Sequence, residues 1–165
     1  MKERWYLQTK KADFNEISRK FNISPILARL IRNRDVVGDE NIRNYLSANI
    51  ERLSSPWLFK DMDRAVDILK IKIAAGNKIR IICDYDVDGV CSGYILYRSL
   101  KKLGAVVDVV VPHRIEDGYG INENLIKKAF DQGIDTILTC DNGIAAYNQV
   151  EYAKSLGMTI IVTDH

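Results

Sequence analysis

From residue 61 onward, short apolar runs alternate with amphipathic segments that end at a glycine. The apolar runs predict strands at 79–83, 106–111, 136–139 and 159–162. The segments around them predict helices at 61–75, 90–103, 122–132 and 145–156. The runs are continuous and mainly apolar instead of alternating, which is typical of parallel strands covered by helices on both faces. The pattern therefore predicts an α/β fold, with a Rossmann-like, doubly wound and mainly parallel sheet.

The first 60 residues carry a helical pattern instead. Helices are predicted at 13–21, at 26–34 after an N-cap at Ser24 and a proline at 25, and at 39–46. We therefore divide the chain into a helical amino-terminal segment, 1–60, and an α/β domain, 61–165. The segment holds twelve Lys or Arg against seven Asp or Glu, and the domain twelve against fifteen. A basic segment beside an acidic domain would suit a polyanionic substrate. On charge alone, however, a weak local excess of basic residues on solvent-exposed helices is the favoured explanation.

Composition excludes several classes of protein. The charged start, 1–11, has no apolar core of a signal peptide, and no apolar run reaches membrane-spanning length. We expect a cytoplasmic protein that does not contact a membrane. Its three cysteines, Cys83, Cys91 and Cys140, form no C-x-x-C pair, so neither a disulfide framework nor a zinc ribbon is indicated. Cys83 and Cys140 are interpreted as small buried side chains at strand ends.

Every predicted strand is followed by a carboxylate, and ligands of such sheets bind at the carboxyl ends of the strands. If the loop after the first strand stays extended, Asp84, Asp86 and Asp88 project together, and Gly89 turns the chain into the helix. The loops after the third and fourth strands add Asp141 and the pair Asp164 and His165, of which Asp141 and His165 are the candidate ligands. A set of aspartates with one imidazole is suited to binding Mn²⁺ or Mg²⁺. Carboxylates that hold such ions are typical of enzymes that hydrolyse phosphodiesters.

Two simpler interpretations apply to parts of this set. The segment 141–143, taken alone, is more typical of a turn than of a site. The spacing of Asp84, Asp86 and Asp88 also occurs in EF-hand calcium loops. That loop needs a helix before it, and here a predicted strand precedes Asp84. It also needs a glutamate at its twelfth position, where this chain has Ile95. The EF-hand interpretation is excluded.

The loop after the second strand carries cations and glycines. His113 and Arg114 precede the segment Gly118, Tyr119 and Gly120, which leads to a helix capped by Asn122. Backbone N–H groups of such a loop can bind a phosphate, Arg114 can bind its oxygens, and Tyr119 can stack on a base. A glycine turn without a ligand is an equally good explanation for Tyr119.

Taken in order, four motifs resemble those of the DHH phosphoesterase superfamily. They are Asp-Tyr-Asp-Val-Asp-Gly at 84–89, Pro-His-Arg at 112–114 with Gly-Tyr-Gly at 118–120, Asp-Asn-Gly at 141–143 and Thr-Asp-His at 163–165. They are most similar to the RecJ-type exonucleases. The resemblance implies 5′→3′ hydrolysis of single-stranded DNA with Mn²⁺ or Mg²⁺, in recombination and repair. It also implies metal ligands at Asp86, Asp88, Asp141 and His165, a supporting Asp84, and substrate contacts at His113, Arg114 and 118–120.

The chain departs from the family pattern at its end. The second histidine of the Asp-His-His signature, the later aspartate motif, the clamping domain and the nucleic-acid-binding barrel are all missing after His165. We therefore expect an amino-terminal fragment or a truncated product, inactive as a nuclease by itself. Its last strand has no helix after it, so an uncovered layer of the sheet can support self-association.

Two other functions stay open at this point. Another DHH phosphoesterase would act on short oligonucleotides, cyclic dinucleotides or pyrophosphate. Such enzymes usually have histidine at the position of Asp84, which favours the RecJ type. A non-catalytic interaction module of the same fold would have lost the acidic ligands, and this chain retains them.

Overall fold

The computed structural model of the protein describes residues 3–6, 10–47 and 49–164. The chain forms two compact units, the first ending at Leu58 and the second beginning at Phe59. This boundary lies near the predicted division at residue 60. In the described ranges, no helix combines the length and the apolar character needed to cross a membrane.

The first unit is built from short helices. Helices α1, α2 and α3 span Phe14–Phe21, Pro25–Asn33 and Asp39–Leu46, and 3-10 turns follow at Ile50–Arg52 and Pro56–Leu58. Asp13 caps α1 by accepting a hydrogen bond from the amide of Glu16 at 2.9 Å. Ser24 caps α2 through the amide of Leu27 at 3.2 Å, as its place before Pro25 predicted. The buried apolar side chains of this unit include Ala28, Ile31 and Ile42.

The second unit is a parallel sheet with helices on both faces. Its strands are β1 (Lys78–Cys83), β2 (Val106–Val110), β3 (Thr136–Cys140) and β4 (Thr159–Ile161), in the order β2-β1-β3-β4. Its helices are α4 (Met62–Ala74), α5 (Val87–Lys102), α6 (Glu123–Asp131) and α7 (Tyr147–Ser155). The predicted doubly wound α/β fold is confirmed, and the strand ends agree closely with the prediction.

Two hydrophobic cores lie on opposite faces of this sheet. Ile81 belongs to the core packed against α4 and α5, and Ile82 belongs to the core packed against α6 and α7. Successive strand residues point to opposite faces, so a strand buried on both sides is mainly apolar along its length instead of alternating. Cys83 and Cys140 are register partners on β1 and β3, and both are buried as predicted.

An ion pair fastens the edge strand β2 to its neighbour. The guanidinium of Arg80 donates to both carboxylate oxygens of Asp108, at 2.8 Å from Nε and 2.6 Å from Nη2. Arg80 is 9% exposed, and its hydrogen bonds to Asp108 raise the pKa of Arg80 above its ordinary value. The two residues are register partners, so the pair holds β1 and β2 in one alignment.

Candidate metal and substrate site at the carboxyl edge of the sheet

The segment that follows β1 enters helix α5 directly. The carboxylate of Asp86 accepts a hydrogen bond from the amide of Gly89 at 2.9 Å, so α5 begins at Val87 rather than at residue 90. Asp88 therefore lies exposed in the first helical turn, where the helix dipole favours a negative charge. An extended loop was the condition for Asp84, Asp86 and Asp88 to project together, and it is not met, because the cap made by Asp86 starts the helix at Val87.

Gly89 allows the start of α5 to lie against the end of β1. A Cβ atom at this position would lie 2.4 Å from the backbone oxygen of Asp84 and 2.7 Å from its carbonyl carbon. No side chain fits there without moving the backbone of Asp84. Gly89 is thus needed for close approach inside the helix, and not, as the sequence suggested, for a turn leading into it.

Asp84 is a buried carboxylate at the end of β1. It is 2% exposed, and its Oδ1 atom has no hydrogen-bond partner. Its amide donates to the carbonyl of Cys140 at 3.3 Å, which ties it to the end of β3. A buried carboxylate oxygen without a donor raises the free energy of the protein, and a bound cation would lower it.

Asn142 fastens the loops of the site to one another and is fully buried. Its Nδ2 donates to the carbonyls of Ile82 at 3.0 Å and Cys140 at 2.9 Å. Its Oδ1 accepts from the amide of Ile121 at 3.1 Å. One side chain thus joins the ends of β1 and β3 to the segment before α6.

Sequence reasoning assigned Asn142 no role beyond a turn. The signal was its place directly after a buried strand, where an amide can bond the carbonyls of neighbouring strands. The preceding residue, Asp141, has a left-handed backbone with φ of 61°. Its amide donates to the carbonyl of Thr163 at 3.0 Å, so the loop after β3 is also tied to the end of β4.

Asp164 supports the same loop from the end of β4. Its Oδ2 accepts a hydrogen bond from the amide of Ile144 at 2.9 Å. The hydroxyl of Thr163 donates to the carbonyl of Thr139 at 2.6 Å. The predicted ligand His165 lies outside the described residues, and its place in a metal site stays a prediction.

The loop after β2 is held by its own polar groups. The carboxylate of Asp117 accepts from the amide of His113 at 2.8 Å, and His113 Nδ1 accepts from the amide of Glu116 at 3.4 Å. Asn122 caps α6 as predicted, by accepting from the amide of Leu125 at 2.9 Å. The imidazole of His113 therefore takes part in shaping the turn.

The two glycines of this loop differ in their surroundings. Gly118 and Gly120 both have positive φ angles, of 77° and 64°. A Cβ on Gly120 would lie 3.1 Å from the Cβ of Asn142, whereas a Cβ on Gly118 would meet nothing within 4 Å. Gly120 is thus packed against Asn142, while Gly118 leaves open space beside its backbone.

Three side chains from different loops form a contact chain across the site. The rings of Tyr85 and Tyr119 lie edge to face, with centroids 6.3 Å apart and an interplanar angle of 89°. The hydroxyl of Tyr119 donates to the carbonyl of Asp141 at 3.2 Å. The guanidinium carbon of Arg114 lies 5.1 Å from the centroid of the Tyr85 ring. The loops after β1, β2 and β3 thus meet at one edge.

Tyr119 reports the negative potential of this edge. Its partial desolvation raises the pKa of Tyr119 above the ordinary value, and neighbouring carboxylates raise the pKa further. These carboxylates, in decreasing order of effect, are Asp84, Asp164, Asp141 and Asp86. Four carboxylates of the loops after β1, β3 and β4 therefore influence one hydroxyl, and Asp88 is not among them.

The donor set suits a hard divalent cation. Asp84, Asp86 and Asp141 lie at one edge, and Asp84 holds a buried oxygen without a partner. Carboxylate oxygens are the ligands that Mg²⁺ and Mn²⁺ prefer. Across residues 3–6, 10–47 and 49–164, no group of three His, Cys, Asp or Glu side chains is already gathered tightly enough to hold a metal ion.

Comparison with known proteins identifies relatives over the whole chain. The model of the DHH family, N-terminal domain, matches residues 78–165. The single-stranded-DNA-specific exonuclease RecJ of Bacillus subtilis is 36% identical over 165 residues, which cover 99% of this chain and 21% of that protein. RecJ of Escherichia coli is 34% identical over 145 residues, 87% of this chain and 24% of that protein. The chain thus spans about a quarter of the length of these relatives.

Solved structures show the same similarity. A crystal structure of exonuclease RecJ bound to manganese matches with a TM-score of 0.60 and 36% identity, over 64% of this chain and 27% of that one. RecJ from Thermus thermophilus, in complex with Mn²⁺, matches with a TM-score of 0.59 and 24% identity, over 92% of this chain and 20% of that one. At this lower identity the second match shows the fold alone.

Proposed function

The chain belongs to the DHH family, and we propose that it is the amino-terminal part of a metal-dependent exonuclease that degrades single-stranded DNA in the 5′→3′ direction. Its parent would act in DNA recombination and repair. The observation that carries the proposal is Asp84, a buried carboxylate with an unpaired oxygen at the edge where the loops after β1, β2 and β3 meet. The direction of cleavage rests on the family resemblance.

Five residues would hold Mn²⁺ or Mg²⁺ in the complete protein. They are Asp84, Asp86, Asp88, Asp141 and His165. When bound, two such ions activate water and stabilise the developing charge of phosphodiester hydrolysis. Asp84 would contribute from the buried side, since its unpaired oxygen requires a positive partner. Asn142 would keep Asp84 and Asp141 in register through its bonds to the ends of β1 and β3.

The loop after β2 would bind the substrate. Arg114 offers a planar set of N–H donors that matches the oxygens of a phosphate, and His113 adds a second polar group. The backbone beside Gly118 is open, so a phosphate can approach it closely. Tyr119 is 64% exposed next to the carboxylates, where a nucleobase can stack on its ring.

A metal titration of this chain tests the proposal most directly. We expect Mn²⁺ binding in isothermal calorimetry, with an affinity at least tenfold lower for Asp84→Asn and unchanged for Asp63→Asn, an exposed carboxylate on α4. Equal affinity of wild type and Asp84→Asn would contradict the assignment of Asp84.

Activity is tested in the full-length protein. We expect Asp88→Ala there to abolish release of nucleotides from single-stranded DNA while leaving the circular dichroism spectrum unchanged. Normal cleavage by this variant would show that Asp88 holds no essential metal. We expect the 165-residue chain alone to release no nucleotides, because it spans only part of its relatives.

The same assays separate the alternative functions. Cleavage of dinucleotides, cyclic dinucleotides or pyrophosphate without cleavage of long single strands would assign a different DHH phosphoesterase. Absence of Mn²⁺ binding in the full-length protein would assign a non-catalytic interaction module. Self-association of the chain through an uncovered layer of its sheet stays a prediction, which analytical ultracentrifugation checks.

A further inference from the structure

Arg114 rests on an aromatic ring in an acidic part of the molecule. Its guanidinium carbon lies 5.1 Å from the centroid of the Tyr85 ring. In the part of the chain that the structure describes, Arg114 forms no ion pair with a carboxylate. Its five N–H donors are therefore not committed to an acidic side chain.

This arrangement differs from the usual behaviour of an arginine beside aspartates. Tyr85 stands between Asp84 and Asp86 in the sequence, so the ring that Arg114 contacts has a carboxylate residue on either side of it in the chain. A guanidinium near a carboxylate normally forms a bidentate pair. Such a pair would neutralise a proposed metal ligand and remove the donors that a phosphate needs.

The ring beneath Arg114 is itself fixed in place. Tyr85 contacts Tyr119 edge to face, at a centroid distance of 6.3 Å. Tyr119 is in turn bonded to the carbonyl of Asp141 at 3.2 Å. The ring of Tyr85 is thus held from the loops after β2 and β3, and it offers Arg114 a defined resting position.

We propose that Tyr85 is a positioning residue that keeps Arg114 on its ring, so that Arg114 binds a phosphate of the nucleic acid instead of pairing with Asp84 or Asp86. The identity of the ligand, a phosphate of single-stranded DNA, rests on the proposed function. The positioning itself rests on the contacts of Tyr85 with Arg114 and Tyr119.

The test uses four variants of the chain and of its full-length parent. Tyr85→Leu removes the ring, Tyr85→Phe keeps both ring contacts, and Arg114→Ala removes the guanidinium. The fourth variant combines Tyr85→Leu with Arg114→Ala. Tyr94→Leu is a matched control, because Arg98 lies 5.7 Å from the Tyr94 ring and both side chains are exposed on α5. The probe is a short single-stranded oligonucleotide with a 5′-phosphate, followed by fluorescence anisotropy over a series of salt concentrations.

We expect Tyr85→Leu to weaken binding about three- to fivefold and to reduce the salt slope by up to about 1. Tyr85→Phe and Tyr94→Leu should bind as the wild type does. Tyr85→Leu should cause no further loss when Arg114 is already alanine, because it acts through Arg114. If the losses of affinity from Tyr85→Leu and Arg114→Ala add up in the double variant, Tyr85 contacts the nucleic acid itself and the proposal is overturned. If Tyr85→Leu binds the oligonucleotide with the affinity of the wild type, the proposal is also overturned. Thermal melting of each variant shows whether the fold is retained.

A second measurement distinguishes failure of this inference from failure of the proposed function. Inorganic phosphate is titrated into the wild-type chain and into Tyr85→Leu, and the Nε–H signal of Arg114 is followed by nuclear magnetic resonance. A shift that is several times larger in the wild type supports the positioning role even if single-stranded DNA does not bind. Equal shifts in the two proteins contradict the positioning role even if single-stranded DNA is the substrate.

Discussion

The second unit contains one place where opposite charges are paired and another where they are not. On β1 and β2, Arg80 and Asp108 bond each other at two points, and the pair holds neighbouring strands in register. At the carboxyl edge, Asp84 is buried with an unpaired oxygen, and Arg114 lies on a ring instead of on a carboxylate. Paired charges stabilise a fold, whereas charges left unpaired beside each other indicate a binding site. Of the four predictions below, the first two test the uncharged contacts that support the carboxyl edge, and the last two test this difference in charge.

The largest effect is expected from Asn142→Ala. The change removes three hydrogen bonds and leaves the amide of Ile121 and two strand-end carbonyls without that partner. We expect the free energy of unfolding to fall by about 3 kcal/mol. Urea denaturation of the chain measures it, with Asn124→Ala on the exposed side of α6 as the control, expected to stay within about 0.5 kcal/mol. A similar small change at Asn142 would mean that the carboxyl edge is not fastened by this amide.

Gly93→Ala is expected to have the next largest effect. A Cβ at this position would lie 2.1 Å from the Sγ atom of Cys83, directly beneath the site. We expect a loss of about 2 kcal/mol in the free energy of unfolding, because Cys83 is buried in a packed core and its thiol can shift only against neighbouring side chains. Adding Cys83→Ala should recover part of that loss. If the double variant is no more stable than Gly93→Ala, the clash is not the cause.

Arg80→Met tests the paired region. The change keeps the apolar stem of the side chain but removes the guanidinium that bonds both oxygens of Asp108. We expect unfolding to require about 1.5 kcal/mol less, since the charge-assisted bonds are lost while the partly exposed Asp108 regains water. Differential scanning calorimetry provides the measurement. A variant as stable as the wild type would show that this pair does not hold β2 in place.

Asp84→Asn tests the unpaired region and should change stability in the opposite direction. Without metal, the free energy of unfolding should rise by about 1 kcal/mol, because a buried charge is removed from the neighbourhood of other carboxylates. With Mn²⁺ in solution, only the wild type should gain stability, since only it binds the ion tightly. Thermal melts of the wild type and of Asp84→Asn, with and without Mn²⁺, measure these differences in stability. Destabilisation in both conditions would mean that Asp84 is a structural residue like Arg80.

Much of the fold and part of the site follow from local sequence. Strand ends were predictable because the runs around Ile81 and Leu138 are short, mainly apolar and continuous. Caps such as Asn122 were predictable from their place before a helix. The start of α5 was not predicted correctly, because it depends on the carboxylate of Asp86 acting as the cap of this helix. The roles of Asn142 and Tyr85 depend on partners more than twenty residues away in sequence, at Ile82, Ile121 and Arg114.

The sequence by itself determined that four parallel strands deliver carboxylates to one edge, because strand alternation and loop position follow from local composition. Only the tertiary structure decided how those groups are arranged there. It buried Asp84 without a partner, moved Asp88 into a helical turn, and placed Arg114 on the ring of Tyr85. The physical reason is that burial and pairing are properties of neighbours in space, and no local pattern in a chain specifies which distant side chains those neighbours are.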